Sequence, residues 1–362
     1  MKFGIIYEIC RPDPEWATEE EIYWQALEQC VVAEEVGFDY VWAVEHHFLE
    51  NYSLSSAPEV FLASVAQRTE RIRIGHGVRL LPPPFNHPAR SASSAAVLDI
   101  LSRGRLEFGV GRSITEQELG GFGVDPASSR PMLDEVLPEI VKMWTNHTYP
   151  GHEGEHFSMP PRVVQPKPVQ SPHPPLWMAC TQPSSFEIAA DYGVGALAFG
   201  LGLPGDLEEA VRVYKGGIEN PRRQAGLAVN NQLAAAGMMF CAAEEQKARE
   251  MGGAAQLWYA ANAAALFTPW VVEKVPGYEW YHELARDPAL FEAESIQRRL
   301  DDGMSLVGTP DKVQAGIQRY ADLGVDQVIG IVQVGRVAHD DIVDSLRLFG
   351  KEVMPKFRSA AG

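Results

Sequence analysis

Residues 39–48 read DYVWAVEHHF, an apolar run rich in β-branched and aromatic residues that ends in three titratable side chains. Such a near-continuous apolar run is typical of a buried parallel strand. Seven further runs of the same kind occur along the chain. The eight predicted strands cover residues 3–8, 39–45, 72–79, 105–110, 175–180, 194–199, 231–241 and 327–333.

Helical stretches with start and stop signals lie between most of the predicted strands. Thr18 and Glu21 form a capping box, and Gly37 supplies the stop before the second strand. Ser184 and Glu187 form another capping box after the fifth strand. This alternation of strands and helices predicts an α/β fold, a (β/α)8 TIM barrel that forms a single domain over residues 1–362.

The chain is longer than a regular barrel, which needs about 250 residues. The surplus of this 362-residue chain lies at 112–174 and at about 243–304, after the fourth and seventh predicted strands. Both insertions leave the face on which such barrels place their active sites. Dense aromatic residues in the second insertion predict a lid over an apolar ligand, although a helical hairpin with its own small core explains them equally well. They are Trp258, Tyr259, Phe267, Trp270, Tyr278, Trp280 and Tyr281.

The charge balance limits the classes of partner. The chain has 31 Lys and Arg against 48 Asp and Glu, a formal net charge of −17, which disfavours nucleic acid and anionic membranes as partners. The sequence has no apolar run long enough for a spanning helix. Glu8 and Arg11 interrupt the apolar run at its start, so we expect no signal segment there. The four cysteines lie far apart. We therefore expect a reduced, cytoplasmic protein with structural cysteines.

The end of the second predicted strand carries the strongest chemical signal. Adjacent strand residues point to opposite faces, so Glu45 and His47 share one side and His46 takes the other. One histidine can then face the barrel mouth as a general base. Alternatively, both imidazoles are hydrogen-bonded structural groups. A metal site needs two histidines on one face and further ligands at later strand ends, which the sequence does not offer, so no metal is expected.

Two further tracts can hold an anion. Arg112 follows the fourth strand directly after Gly111 and places a cation at the mouth, where it either binds a phosphate or pairs with an acidic side chain. Residues 181–185 connect the fifth strand to its helix and offer hydroxyl groups and amides at a helix N-terminus. The GxGxxG pattern at 200–205 follows the sixth strand, so we interpret it as a barrel loop and not as a dinucleotide fingerprint.

Four tracts together resemble the bacterial luciferase-like flavin monooxygenases. They are EHHF at 45–48, PFNHPARSASSAAVLDILSRGRLEFGVGR at 84–112, FGVDPASSR at 122–130 and GTPDKVQAGIQRYADLGVDQVI at 308–329. The resemblance implies a barrel that binds reduced FMN supplied by a separate flavin reductase. In such enzymes the flavin reacts with O2 to give a C4a-hydroperoxide, which inserts one oxygen atom into an apolar or aromatic small molecule. The family also implies a homodimer.

The resemblance assigns roles to individual residues. The glutamate and two histidines of the luciferase pattern match Glu45, His46 and His47, which makes these three the catalytic candidates and His46 the acid/base. The turn after the fifth strand departs from luciferase, because its acidic-then-serine pair is Thr181–Gln182 here. Gly111 replaces the luciferase cysteine, and the small residues at the strand-three exit are often joined by a cis peptide. The residues expected at the cofactor are Ala43, Gly77, Val78, Gly111, Arg112, Thr181, Gln182, Ser184 and Ser185.

Two other functions remain open at this point. A deazaflavin-dependent oxidoreductase can use the same barrel to move hydride without oxygen. A non-catalytic, flavin-binding partner subunit is the other alternative, and the presence of both His46 and Arg112 argues against it.

Overall fold

Eight parallel strands close into a barrel in the computed structural model, which describes residues 1–199, 204–267, 269, 275–286, 292, 294, 295, 297, 298 and 305–358. In chain order the strands are β1 (Lys2–Tyr7), β2 (Tyr40–Ala43), β3 (Arg73–Leu80), β4 (Leu106–Gly111), β5 (His152–Glu153), β6 (Ser158–Met159), β7 (Leu176–Cys180), β8 (Gly195–Phe199), β9 (Leu233–Cys241), β10 (Leu306–Gly308) and β11 (Gln327–Ile331).

The order of strands around the barrel is β1, β2, β3, β4, β7, β8, β9 and β11, and β11 pairs with β1 to close it. These eight strands confirm the predicted barrel and its eight apolar runs. The antiparallel β5–β6 hairpin and β10, which extends alongside β9, were not predicted, because two or three residues are too few for an apolar pattern.

Helices surround the barrel and occur in both insertions. They are α1 (Glu19–Val36), α2 (Pro58–Arg68), α3 (Pro88–Leu101), α4 (Glu116–Gly121), α5 (Ser129–Thr145), α6 (Pro183–Tyr192), α7 (Pro204–Ile218), α8 (Glu245–Lys247), α9 (Ala254–Phe267), α10 (Glu279–Ala285), α11 (Pro310–Asp322) and α12 (His339–Leu348). Within the described part of the chain, no helix is both long and apolar enough to cross a membrane.

Two indole rings fill the interior of the barrel. Trp42 of β2 and Trp177 of β7 are fully buried and meet edge to face, with ring centroids 5.4 Å apart. Glycines on the neighbouring strands make the room: a Cβ on Gly75 would lie 2.2 Å from the Trp42 ring, and one on Gly195 would lie 2.4 Å from the Trp177 ring. The packed interior places any ligand at the mouth of the barrel instead of its centre.

The structure corrects one helix start. The Thr18–Glu21 box and the left-handed Gly37 that ends α1 are confirmed, but the predicted Ser184–Glu187 box is wrong. Helix α6 begins at Pro183, and the Ser185 hydroxyl accepts a hydrogen bond from the Gln182 N–H. Proline lacks an N–H and has a helical φ, so it fits the first helical position and places the cap at Gln182, two residues earlier than predicted.

The two insertions pack against each other above the barrel. A small buried cluster joins the first insertion, through Leu119 and Val124, to the second, through Ala263, Tyr278 and Tyr281. The second insertion therefore has a small core of its own, shared with the first, and it also lies over the mouth. Trp270 and residues 200–203 of the glycine-rich pattern fall outside the described residues.

Candidate active site

A cavity of about 130 Å³ lies at the carboxyl ends of the barrel strands. Most of the predicted site residues line it: Glu45, His46, Gly77, Val78, Gly111, Arg112, Thr181, Gln182 and Ser185. The peptide bond between Gly77 and Val78 is cis, as the resemblance implies. Three predicted residues lie outside the wall: Ala43 is buried in β2, His47 packs against Phe122, and Ser184 is exposed.

The residues after β2 alternate in direction as predicted. Nε2 of His47 lies 3.1 Å from Oε1 of Glu45, so these two side chains share one side. The second oxygen of Glu45 accepts the Leu80 N–H at 2.9 Å, and Oε1 also accepts from Asn86 at 2.7 Å. Glu45 thus holds the ends of β2 and β3 together, whereas His46 alone of the two histidines lines the cavity.

Two buried carboxylates flank His46. Its Nδ1 lies 3.0 Å from Oε1 of Glu118, and its Nε2 lies 3.5 Å from Oε2 of Glu8. Burial by itself lowers the pKa of His46, but the charge and hydrogen bond of Glu118 and the charge of Glu8 outweigh it and raise the pKa to about 9. His46 is therefore a proton-carrying acid at neutral pH.

Glu118 is held by several donors at the start of α4. Its carboxylate accepts from Ser113 Oγ at 2.7 Å, from Thr115 Oγ1 at 2.6 Å and from the His47 N–H at 3.0 Å. Burial raises its pKa, but the charge of His46 and these hydrogen bonds outweigh burial and lower it. Glu118 stays ionised and fixes both the orientation and the charge of His46.

Glu8 extends the network into the second insertion. It follows β1 directly, and its Oε1 accepts a hydrogen bond from Tyr259 of α9 at 3.0 Å. Tyr52 donates to the Tyr259 hydroxyl at 2.7 Å, and the two rings stack with centroids 5.3 Å apart. Burial raises the pKa of Glu8, and the charge of His46 and the Tyr259 hydrogen bond partly offset it.

Two guanidinium groups share another part of the wall. Arg112 donates to Ser129 Oγ at 2.9 Å and to the carbonyl oxygen of Gly277, and it lies 4.1 Å from the ring centroid of Tyr278. Arg130 forms an ion pair with Asp134, with its Nη1 3.8 Å from Oδ1 of that carboxylate. Both arginines line the same cavity, and burial and the charge of Arg112 lower the pKa of Arg130.

Sequence reasoning missed four of these groups, namely Glu8, Tyr52, Glu118 and Arg130. Signals for two of them were present: Thr115 and Glu118 have capping-box spacing, and Glu8 is a charged residue that ends an apolar run. In the described part of the chain, no three His, Cys, Asp or Glu side chains are grouped so as to hold a metal ion.

The His46–Glu118 pair gives a first testable prediction, which concerns pH. In the folded chain the pKa of His46 is about 9, above the ordinary value of about 6.5. Protonation of His46 therefore makes its full contribution to the stability of the fold below about pH 6.5. This contribution decreases as the pH rises and is lost above about pH 9. An NMR titration of the His46 ring should show the raised midpoint, and Glu118→Gln should lower it. An unchanged midpoint in that variant would contradict the assignment.

Comparison with known proteins identifies the family of the chain. The family described as luciferase-like monooxygenase matches residues 1–327. The oxygenase component of a flavin-dependent trigonelline monooxygenase from Acinetobacter baylyi is 32% identical over 195 residues, which cover 53% of this chain and 52% of that protein. The chain thus spans about half the length of that relative.

Two further similarities extend over nearly the whole chain. The alkanal monooxygenase alpha chain of Photorhabdus luminescens is 26% identical over 363 residues, 98% of this chain and 96% of that protein. The crystal structure of the monooxygenase RslO1 from Streptomyces bottropensis has a TM-score of 0.83 at 27% identity, over 99% of this chain and 100% of that one. The chain therefore belongs to the luciferase-like monooxygenase family.

Proposed function

We propose that this chain is a monooxygenase that takes reduced FMN from a separate reductase and inserts one oxygen atom of O2 into an apolar or aromatic small molecule. The observation that carries the proposal is the pair of guanidinium groups, Arg112 and Arg130, in the same cavity as His46. The relatives support it: one is named as the oxygenase component of a flavin-dependent enzyme and another as an alkanal monooxygenase.

The donor set fits a terminal phosphate. Arg112 and Arg130 both line the cavity, and a dianion bound by both would offset their like charges. Thr181 and Gln182 line the cavity at the N-terminus of α6, where hydroxyl and amide donors favour an anion. We assign the phosphate of FMN to this group of residues, which we call the anion end of the cavity.

The protein's own residues supply the rest of the chemistry. Reduced FMN, when bound, provides the electrons that activate O2. His46 exchanges a proton through Nε2, because its Nδ1 is engaged by Glu118. Apolar walls keep water out of the cavity, which protects a reactive centre from side reactions. They include Val44, Val78, Leu80, Ile114, Leu133 and Met178.

The second insertion closes the anion end. The cavity volume of about 130 Å³ is smaller than the roughly 300–1,000 Å³ of typical ligand sites. The Gly277 carbonyl accepts from Arg112, where a phosphate oxygen would otherwise accept, and the Tyr281 hydroxyl bonds Thr181. We infer that residues 277–281 move aside when the cofactor enters.

This competition predicts the effect of a single hydroxyl group. Tyr281→Phe removes the bond to Thr181 and weakens the closed position, so apparent FMN affinity should rise by up to about tenfold, the value of one neutral hydrogen bond. Fluorescence titration with FMN measures it. Tyr214→Phe is the matched control, since this buried hydroxyl bonds the Val194 carbonyl away from the cavity. Weaker FMN binding in Tyr281→Phe would show that the contact supports the bound state instead.

The proposed function is tested by the choice of cofactor. Anaerobic calorimetric titrations of the full chain with reduced FMN and with a reduced deazaflavin compare the two directly. We expect tighter binding of reduced FMN. Tighter binding of the deazaflavin would favour the hydride-transfer alternative, and binding of neither would contradict the proposal.

A further inference from the structure

The cavity has a second polar end, around His46, that does not take part in binding the phosphate. Glu8 follows β1 and Thr181 follows β7, and these two strands lie four positions apart in the ring of eight, on opposite sides of the mouth. The end formed by Glu8, His46, Tyr52 and Tyr259, which we call the carboxylate end, is therefore across from the anion end.

One atom of Glu8 lacks a hydrogen-bond partner among the described residues. The side chain is buried, with 4% of the residue exposed, and it lines the cavity. Its Oε1 accepts from Tyr259, whereas Oε2 is buried and has no such bond. An unsatisfied buried carboxylate oxygen is costly, so its position in a cavity wall indicates a ligand group that donates a hydrogen bond.

A donor lies beside this acceptor. Nε2 of His46 is 3.5 Å from Oε2 of Glu8, too far for a well-formed hydrogen bond, and Nδ1 is already engaged by Glu118. A hydroxyl group matches such a pair, because it donates one hydrogen and accepts into its lone pairs. A carboxylate does not match it, because Glu8 and Glu118 would both repel it.

The walls around this pair are aromatic and apolar. Tyr52 and Tyr259 stack on each other, and Val44 also lines the cavity. We propose that the carboxylate end binds the hydroxyl group of a phenolic substrate. The substrate O–H donates a hydrogen bond to Oε2 of Glu8, and the substrate oxygen accepts one from Nε2 of His46. This inference rests on the proposed function for the oxygenation itself, but the binding does not require the flavin.

The test uses phenol and toluene, which differ by one hydroxyl group. A cavity of about 130 Å³ is similar to the roughly 150 Å³ cavities that hold benzene. Calorimetric titration of the full chain should give phenol an affinity about 10- to 150-fold above toluene, the range of one hydrogen bond to a charged group. Glu8→Leu should remove this preference for phenol and leave the affinity for toluene within about threefold of the wild-type value. Glu8→Gln, which keeps an acceptor oxygen, should retain part of it.

Several results would overturn the inference. Equal affinities for phenol and toluene in the wild type, or an undiminished phenol preference in Glu8→Leu, would remove Glu8 from substrate recognition. Tighter binding of cyclohexanol than of phenol would exclude the phenolic class. If Glu8→Leu does not fold, an undiminished preference in Glu8→Gln overturns it. Titration of the same preparations with reduced FMN separates the two proposals: intact FMN binding with no phenol preference refutes only this one.

Discussion

Replacement of His46 by alanine is expected to slow oxygenation by about 10²–10⁴-fold, the usual effect of removing a general acid or base. The reason is structural: in the described part of the cavity wall, His46 is the one imidazole placed between two carboxylates, and its pKa of about 9 keeps the proton available at neutral pH. FMN affinity should change little, because the anion end lies on other strands. Added imidazole should restore part of the lost rate.

Turnover is measured as the incorporation of ¹⁸O from ¹⁸O2 into the product of a phenolic substrate. FMN affinity is measured by fluorescence titration of the same preparation. His152→Ala is the matched control. Its ring also lies between two carboxylates, with Nε2 2.9 Å from Glu135 and Nδ1 3.7 Å from Glu139, but outside the cavity. Wild-type turnover in His46→Ala, or an equal loss in His152→Ala, would refute the acid/base role.

The second large effect concerns Arg112. The variant Arg112→Ala should bind FMN about 10- to 150-fold more weakly, since a hydrogen bond between charged groups contributes about 1.5–3 kcal/mol. Riboflavin lacks the phosphate, so its affinity should not change. Arg130→Ala should show the same selectivity, because we propose that both guanidinium groups bind the FMN phosphate.

Parallel titrations with FMN and riboflavin measure this selectivity. Arg71→Ala serves as the control, because this exposed arginine lies at the opposite, amino-terminal end of the strands. Equal losses for FMN and riboflavin in Arg112→Ala would show that the residue supports the fold of the mouth and not the phosphate.

The barrel could be predicted because its strands are buried on both faces. Runs such as 175–180 and 194–199 are almost wholly apolar, and that pattern does not depend on distant residues. The start of α6 was missed by two positions, because Ser184 and Glu187 have capping spacing but Pro183 fixes the first helical residue. Local patterns predict an element more reliably than its exact boundary.

Only part of the site could be predicted, because some of its residues meet only in the folded barrel. His46 and Arg112 were found because each follows a strand and carries a charge that packing does not explain. Glu8 and Glu118 are 110 positions apart in the sequence and come together on His46 only when the barrel closes. The role of Arg130 likewise depends on α5 bringing it to Arg112. Such convergence of distant residues leaves no trace in local spacing.

The most direct test of the central claim is a stopped-flow experiment. The wild-type chain with bound reduced FMN is mixed with O2, and flavin absorbance is followed. The proposed monooxygenase should show a spectrum distinct from both reduced and oxidised flavin that lasts for seconds or longer, since the apolar walls of the cavity would limit the access of water to the flavin. Immediate conversion to oxidised FMN, with hydrogen peroxide released at the rate of free flavin, would contradict it.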